Sequence, residues 1–195
     1  ECGLWDELSR RSALPAAALV TDIGNDILYG AGVDQIAGWV EHCLLRLRAV
    51  CERIIITELP LARVASVTPR QFHLFRALLF PGSRVTWTEA LNRVRELNAR
   101  VTELARQQRG VLCVPRLQWY GWDPIHVRRA AWPEAWCEIL SGWSDQLATQ
   151  RARGSWMRWL QLRRQRPLVR RLFGFEQRRA QPTCTLRSGS AISLY

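Results

Sequence analysis

The chain has 195 residues, of which 48% are hydrophobic and 23% are charged. This composition is typical of a globular protein with one well-packed domain, and it excludes a largely disordered chain. No apolar run reaches the roughly 18–20 residues that a helix needs to cross a bilayer. The chain begins at Glu1 rather than at Met, and we therefore expect that residues preceding Glu1 are missing from it.

The basic residues are all arginine, and they are unevenly distributed. Residues 151–195 hold 11 arginines and one acid, Glu176, whereas residues 1–150 hold 17 arginines and 16 acids. A basic tail of this kind can contact nucleic acid or an anionic surface. A solvated face in a GC-biased coding sequence explains the same pattern, and we favour that interpretation.

The six cysteines predict neither a metal site nor a disulfide framework. They are Cys2, Cys43, Cys51, Cys113, Cys137 and Cys184. None forms a Cys-x-x-Cys pair, and most stand in apolar stretches, where a free thiol behaves as a small hydrophobe. We therefore expect a reducing compartment, the cytoplasm, and neither a metal nor another cofactor.

Continuous apolar runs predict buried strands, and apolar positions spaced by three and four residues predict the helices between them. The predicted strands are residues 17–21, 54–57 and 111–114. The predicted helices are residues 34–51, 71–80, 86–108 and about 133–147. Thr86 with Glu89 forms a capping box at the start of the third helix. In the last helix, the helical spacing of Trp132, Trp136 and Trp143 assigns these side chains to the core.

This alternation predicts a parallel sheet between two layers of helices, an α/β fold. Ligands of open α/β sheets bind at the carboxyl edge of the strands, where the loops 22–26 and 119–126 are expected to lie. The α/β domain is predicted over residues 1–147 and the basic extension over residues 148–195. The extension is predicted to hold a short helix around Trp156–Leu162 and a hairpin over residues 183–195 that turns at Ser188 and Gly189.

The first candidate site motif is Gly24-Asn25-Asp26, directly after the first predicted strand. Gly24 allows a sharp turn and the close approach of a ligand to the backbone. The amide of Asn25 can donate to a developing oxyanion. Ordinary turn chemistry explains the same three residues.

The second motif is Asp123-Pro124-Ile125-His126. An Asp three residues before a His can fold back onto the imidazole, hold its tautomer and leave the other ring nitrogen as a base. His42 and His73 have no acid so placed. A capping Asp beside an ordinary His is the alternative.

Together and in this order, the two motifs resemble those of the SGNH hydrolase family, also called GDSL-like esterases and lipases. The match to the family's Asp-x-x-His block is close, whereas Gly24 and Asn25 are adjacent here instead of separated by one residue. The resemblance covers residues 1–147 and implies a flavodoxin-like α/β/α sandwich with a parallel sheet. It further implies that His126 is the general base, Asp123 its orienting acid and Asn25 an oxyanion donor.

The family's nucleophilic serine stands in a Gly-Asp-Ser block, which this sequence lacks. Neither Ser9 nor Ser12 has the glycine turn that exposes a nucleophile, so we expect the block to precede Glu1. Gly3 is the candidate for the family's second oxyanion donor.

The resemblance implies hydrolysis of a small-molecule carboxylic ester through an acyl-enzyme. Trp119 and Trp122 flank the His126 loop and are candidate walls of the substrate pocket, Trp122 being the one assigned to substrate binding, and core packing or loop anchoring is the favoured alternative for both rings. Two alternatives stay open: a non-catalytic SGNH-like binding domain, and a scaffold whose basic tail binds nucleic acid or an anionic surface.

Overall fold

The computed structural model describes residues 3–10, 15–144, 155–186 and 189–195. The chain divides into two compact units, Pro15–Ala152 and a second unit made of Glu1–Leu14 with Arg153–Tyr195. The boundary predicted near residue 147 therefore lies close to the end of the first unit. The first 14 residues, which were expected in the α/β domain, belong instead to the unit that holds the tail.

The helices and strands of both units are as follows. The helices are α1 (Leu4–Arg10), α2 (Val33–Arg48), α3 (Leu61–Ser66), α4 (Pro69–Leu79), α5 (Trp87–Gln107), α6 (Trp132–Ser141) and α7 (Trp156–Arg164). The strands are β1 (Ala17–Val20), β2 (Arg53–Thr57), β3 (Val111–Cys113), β4 (Val169–Leu172), β5 (Phe175–Arg178), β6 (Cys184–Thr185) and β7 (Ala191–Ile192). Among the described residues, no helix combines the length and the apolarity that spanning a membrane requires.

The larger unit is built on a three-stranded parallel sheet in the order β1-β2-β3. Ala18 pairs with Ile54, and Ile55 pairs with Val111, so β2 lies in the middle. The three predicted strands and their parallel direction are confirmed. Because the strands are parallel, the residues that follow each of them meet at one edge of the sheet.

Helices contact both faces of the central strand. Ile54 and Ile56 share a buried cluster with side chains of α2 and α5, among them Leu44, Leu97 and Val101. Ile55 points to the opposite face, where it packs with Trp119 and with Ala135 and Ile139 of α6. Burial on both faces explains why β2 is a continuous apolar run rather than an alternating one.

The helix starts follow the capping chemistry of the sequence. Of the capping box predicted at the start of α5, the half donated by the Glu89 amide to the Thr86 side chain is present, while Oε1 of Glu89 accepts from Arg93. In α4, Thr68 and Gln71 form a reciprocal capping box, so this helix begins at Pro69, earlier than the prediction of residue 71. The short helix α3 was not predicted.

The prediction of a helix over about residues 133–147 was partly wrong, and its last three residues, 145–147, lie outside the described ranges. Helix α6 ends at Ser141 rather than near residue 147. Trp132 and Trp136, assigned to the core from their spacing, are 43% and 40% exposed. Trp143 is partly buried and donates its indole N–H to the carbonyl oxygen of Ala18 in β1.

The smaller unit consists of short elements without a fully buried side chain among its described residues. The predicted short helix is present as α7, and the predicted C-terminal hairpin as β6 and β7, while its turn residue Ser188 lies outside the described ranges. A second antiparallel hairpin, β4-β5, was not predicted. It escapes sequence patterning because all eight of its strand residues are exposed, so no apolar face marks it.

Candidate functional site

The loop that carries the second motif is closed at its base. Tyr120 and Val127 form an antiparallel bridge across it. Beside the bridge, the Arg128 amide donates to the Trp119 carbonyl at 2.8 Å. The Trp132 indole donates to the Val127 carbonyl at 2.9 Å. The bridge and these two hydrogen bonds therefore hold the two ends of the loop together next to β3.

Inside this loop, the Asp123 carboxylate uses both of its oxygens. Oδ1 accepts hydrogen bonds from the amides of Ile125 at 3.0 Å and His126 at 3.2 Å. Oδ2 lies 2.7 Å from Nδ1 of the His126 ring. This is the contact that the Asp-x-x-His spacing predicts. An Asx turn at Asp123 brings His126, three residues later, back over the Asp123 carboxylate.

The pair is arranged to keep Asp123 ionised. Burial opposes ionisation of the carboxyl, but the hydrogen bonds from the Ile125 amide and from the ring and amide of His126 outweigh it and hold the pKa of Asp123 below its usual value. An ionised Asp123 accepts a hydrogen bond from Nδ1–H of His126, and in this tautomer the lone pair of the neutral ring is on Nε2. The His126 side chain is 64% exposed.

The first motif follows β1 at the same edge of the sheet. Asn25 begins a single 3₁₀ turn, Asn25–Ile27, and Gly24 precedes it. Gly24 has φ −95°, which any residue can adopt, whereas Asp22 has φ +59°. The expectation that Gly24 allows the close approach of a ligand stays a prediction, and the structure adds a packing reason for the glycine: a Cβ at Gly24 would clash with Cδ2 of Leu59. Glycine is required here because the Leu59 side chain packs directly on the backbone.

Leu59 is itself held from α5. The buried amide of Asn98 donates from Nδ2 to the Leu59 carbonyl at 3.1 Å and accepts from the Leu59 amide at 2.9 Å. Two hydrogen bonds to one backbone unit fix the segment that follows β2. Asn98 therefore holds the backbone of Leu59, whose side chain packs on Gly24, a positioning role that the sequence did not reveal.

We expect Gly24→Ala to destabilise the protein by about 1–3 kcal/mol, because the added methyl overpacks against Leu59. The matched control is Gly38→Ala in α2, where no atom lies within 4 Å of the added methyl. The control is expected to stabilise by about 0.5–1 kcal/mol, as alanine in a helix does relative to glycine. Urea unfolding measures both, and a Gly24→Ala variant as stable as the wild type would contradict the packing argument.

Residues of both motifs line one cavity of about 430 Å³, namely Gly24, Asn25, Asp123 and His126. Thr21 and Thr57, at the carboxyl ends of β1 and β2, line it as well, which places the cavity at the edge expected for ligands. Most of the remaining wall is apolar, and includes Phe72, Phe75, Trp132 and Trp136. The site therefore joins a small polar group to a larger apolar space, as ligand pockets commonly do.

The described residues of the cavity wall carry three side-chain hydroxyl groups. The described serines do not line the cavity, and its hydroxyls belong to Thr21, Thr57 and Tyr120. The two threonines hydrogen bond to each other at 3.1 Å. Burial, together with the charge of Asp22, raises the pKa of Tyr120 to about 12, so the phenol stays protonated at neutral pH.

Ionisation of Tyr120 is expected to destabilise the fold at high pH. Because its folded pKa is raised from 10.0 to about 12, its contribution to stability is complete below pH 10 and is lost as the pH rises through about 12. Tyrosinate absorbance, followed against pH, should show a late step that Tyr120→Phe removes. A titration unchanged by that substitution would contradict the assignment.

The other predicted site residues lie elsewhere. Gly3 belongs to the smaller unit, where a Cβ on it would lie 2.7 Å from Cδ2 of Leu168, and its role as an oxyanion donor stays a prediction. Trp122 is not among the residues that line the cavity: its ring is 61% exposed and packs on Phe75, with centroids 4.3 Å apart. Ser9 donates to the Asp6 carbonyl within α1, and Ser12 lies outside the described residues.

Comparison with known proteins adds no relative. No family model matches the chain, and neither the curated proteins nor the solved structures give a significant match.

Proposed function

We propose that the chain forms the acid, base and oxyanion part of a serine esterase of the SGNH type, which hydrolyses carboxylic esters through an acyl-enzyme. The observation that carries the proposal is the shared cavity, lined by the Asp123–His126 pair and by Asn25. A base with a fixed tautomer and an amide donor beside an apolar space are the groups that acyl transfer needs. The nucleophile of this proposal is a serine that residues 1–195 do not contribute.

The topology of the larger unit supports a three-layer, flavodoxin-like fold. In a sheet of order 2-1-3-4-5, the last three strands run in sequence order, as β1-β2-β3 do. Side chains of α2 and α5 pack on one face of β2, and those of α6 pack on the other. In such a sheet, the strand that carries the nucleophile would be the neighbour of β1.

In the first half of the proposed reaction, Nε2 of His126 takes the proton of the serine hydroxyl as its oxygen attacks the ester carbonyl. The carbonyl π electrons move to the oxygen, which accepts a hydrogen bond from the Asn25 amide. The ionised Asp123 stabilises the imidazolium through Nδ1. When the intermediate collapses, the C–O bond to the leaving alcohol breaks and His126 returns the proton to that alcohol.

In the second half, water replaces the alcohol. Nε2 of His126 takes a proton from water, and the hydroxide attacks the acyl carbonyl with Asn25 again donating to the oxyanion. Collapse releases the carboxylic acid and restores the serine hydroxyl with the proton from His126. The apolar part of the cavity wall would hold the hydrocarbon of the substrate out of water.

The test is hydrolysis of p-nitrophenyl acetate by two proteins, the 195-residue chain and the product of its complete reading frame. The reading-frame product is expected to hydrolyse the ester, and the chain to be slower by at least about 10³-fold, because it lacks the nucleophile. Equal rates would contradict the proposed role of an additional serine. No hydrolysis by either protein would favour the non-catalytic binding domain instead.

A further inference from the structure

The tip of the β4-β5 hairpin carries three exposed apolar side chains. Leu172 and Phe175 pair across the last rung of the hairpin, and Phe173 lies in the turn between them. Phe173 is 98% exposed and Phe175 is 75% exposed. A soluble surface rarely leaves neighbouring large apolar residues in water unless they meet a partner.

The turn itself is unfavourable for phenylalanine. Phe173 has φ +51° and Gly174 has φ +83°, the left-handed pair that a tight two-residue hairpin turn requires. Asn-Gly is the preferred sequence for such a turn, and a bulky residue at positive φ is strained. The ring of Phe173 is therefore presented at the tip at a cost to the backbone, which points to a use for it.

Arginines surround the strands behind this tip. Arg170, Arg171 and Arg178 lie in the strands and Arg179 follows them, all exposed. The single acid of the hairpin, Glu176, pairs with Arg171 at 3.0 Å and with Arg178 at 2.8 Å. Four guanidinium groups against one carboxylate leave the hairpin strongly cationic.

We propose that the β4-β5 hairpin docks on an anionic lipid bilayer. Leu172, Phe173 and Phe175 enter the boundary between headgroups and acyl chains, and the arginines behind them contact lipid phosphates. An apolar end with a cationic collar matches the charge and polarity profile of that interface. This inference does not depend on the proposed esterase activity.

The composition of the tip favours a bilayer over single-stranded nucleic acid. Nucleic acid would use aromatic rings as stacking platforms. Leu172 offers no such ring, and it shares the tip with the two phenylalanines. Aliphatic and aromatic side chains both gain free energy on transfer into the membrane interface. Docking on a bilayer therefore uses all three apolar side chains of the tip.

The experiment is co-sedimentation of the 195-residue chain with vesicles of phosphatidylcholine, with and without phosphatidylglycerol. We expect binding to the anionic vesicles that weakens with added salt. Phe173→Asn keeps a residue suited to the turn and is expected to lower the partition coefficient about ten-fold or more. Arg170→Gln is expected to lower it about five-fold.

The matched control is Trp39→Gln, which removes a half-exposed aromatic ring from α2 in the larger unit and should leave binding unchanged. Circular dichroism checks that each variant keeps the fold. Equal binding to neutral and anionic vesicles would overturn the proposal, and so would wild-type binding by Phe173→Asn. Binding of an oligothymidylate without binding of anionic vesicles would also overturn it, in favour of a nucleic-acid surface.

Discussion

Replacing His126 by glutamine is expected to lower kcat/KM for a p-nitrophenyl ester by at least about 10³-fold in the product of the complete reading frame. Glutamine has no basic nitrogen, so the serine proton has no acceptor at the position of Nε2. The fold is expected to survive, because the side chain is 64% exposed and the loop is closed by Tyr120 and Val127. Steady-state kinetics, with a thermal unfolding curve for each protein, measure the effect.

The control for this prediction is His42→Gln. His42 lies exposed on α2 and does not line the cavity, so its removal should change kcat/KM less than two-fold. If His126→Gln retained activity within ten-fold of the wild type, His126 would not be the base. The Asp123 contact would then serve only to shape the loop.

Replacing Asn25 by alanine is expected to lower kcat by about 10²–10³-fold with a much smaller change in KM. The amide donates to an oxyanion that exists in the transition state and not in the bound ester, so its loss falls on kcat. The same kinetic assay measures this split.

Asn92→Ala is the matched control, since Asn92 is an exposed amide on α5 outside the cavity. It should leave both constants unchanged within about two-fold. A large rise in KM at unchanged kcat for Asn25→Ala would show that Asn25 binds the ground state and the transition state equally well. This result would contradict its role as an oxyanion donor.

The parallel sheet was predictable because its strands are short and continuously apolar. Ile54, Ile55 and Ile56 bury their side chains on both faces, and such a run has few other structures open to it. The β4-β5 hairpin and α3 were not predictable on this basis. The hairpin has no buried side chain, and α3 follows Pro60 directly as a helix of 6 residues, too short for a clear apolar period.

In α6, the spacing of the tryptophans correctly predicts a helix, but the face predicted to be buried is the wrong one. Its tryptophans, Trp132 and Trp136, are four residues apart, as core residues of a helix are. The buried set is Ala131, Ala135 and Ile139, one position earlier on the helix. Small side chains allow α6 to pack closely on Ile55, which turns the larger rings outward to line the cavity. Spacing alone could not choose between the two sets.

The candidate site likewise has one part that the sequence predicts and another part that it does not. The Asp123–His126 contact is local, because three residues and an Asx turn suffice to form it, and so the sequence predicts it directly. The requirement for glycine at position 24 depends on Leu59 and, behind it, on Asn98 in α5. Contacts between segments so distant in sequence appear only once the chain is folded.

The most direct test of the account is a crystal structure of the reading-frame product after reaction with an alkyl fluorophosphonate. We predict a phosphonyl group on one serine, its oxygen accepting a hydrogen bond from Nδ2 of Asn25 at about 2.7–3.1 Å. The ring of His126 should lie beside the modified serine, with Asp123 still bound to Nδ1. A protein that forms no adduct, or an adduct far from Asn25 and His126, would contradict the proposal that these residues serve one acyl-transfer site.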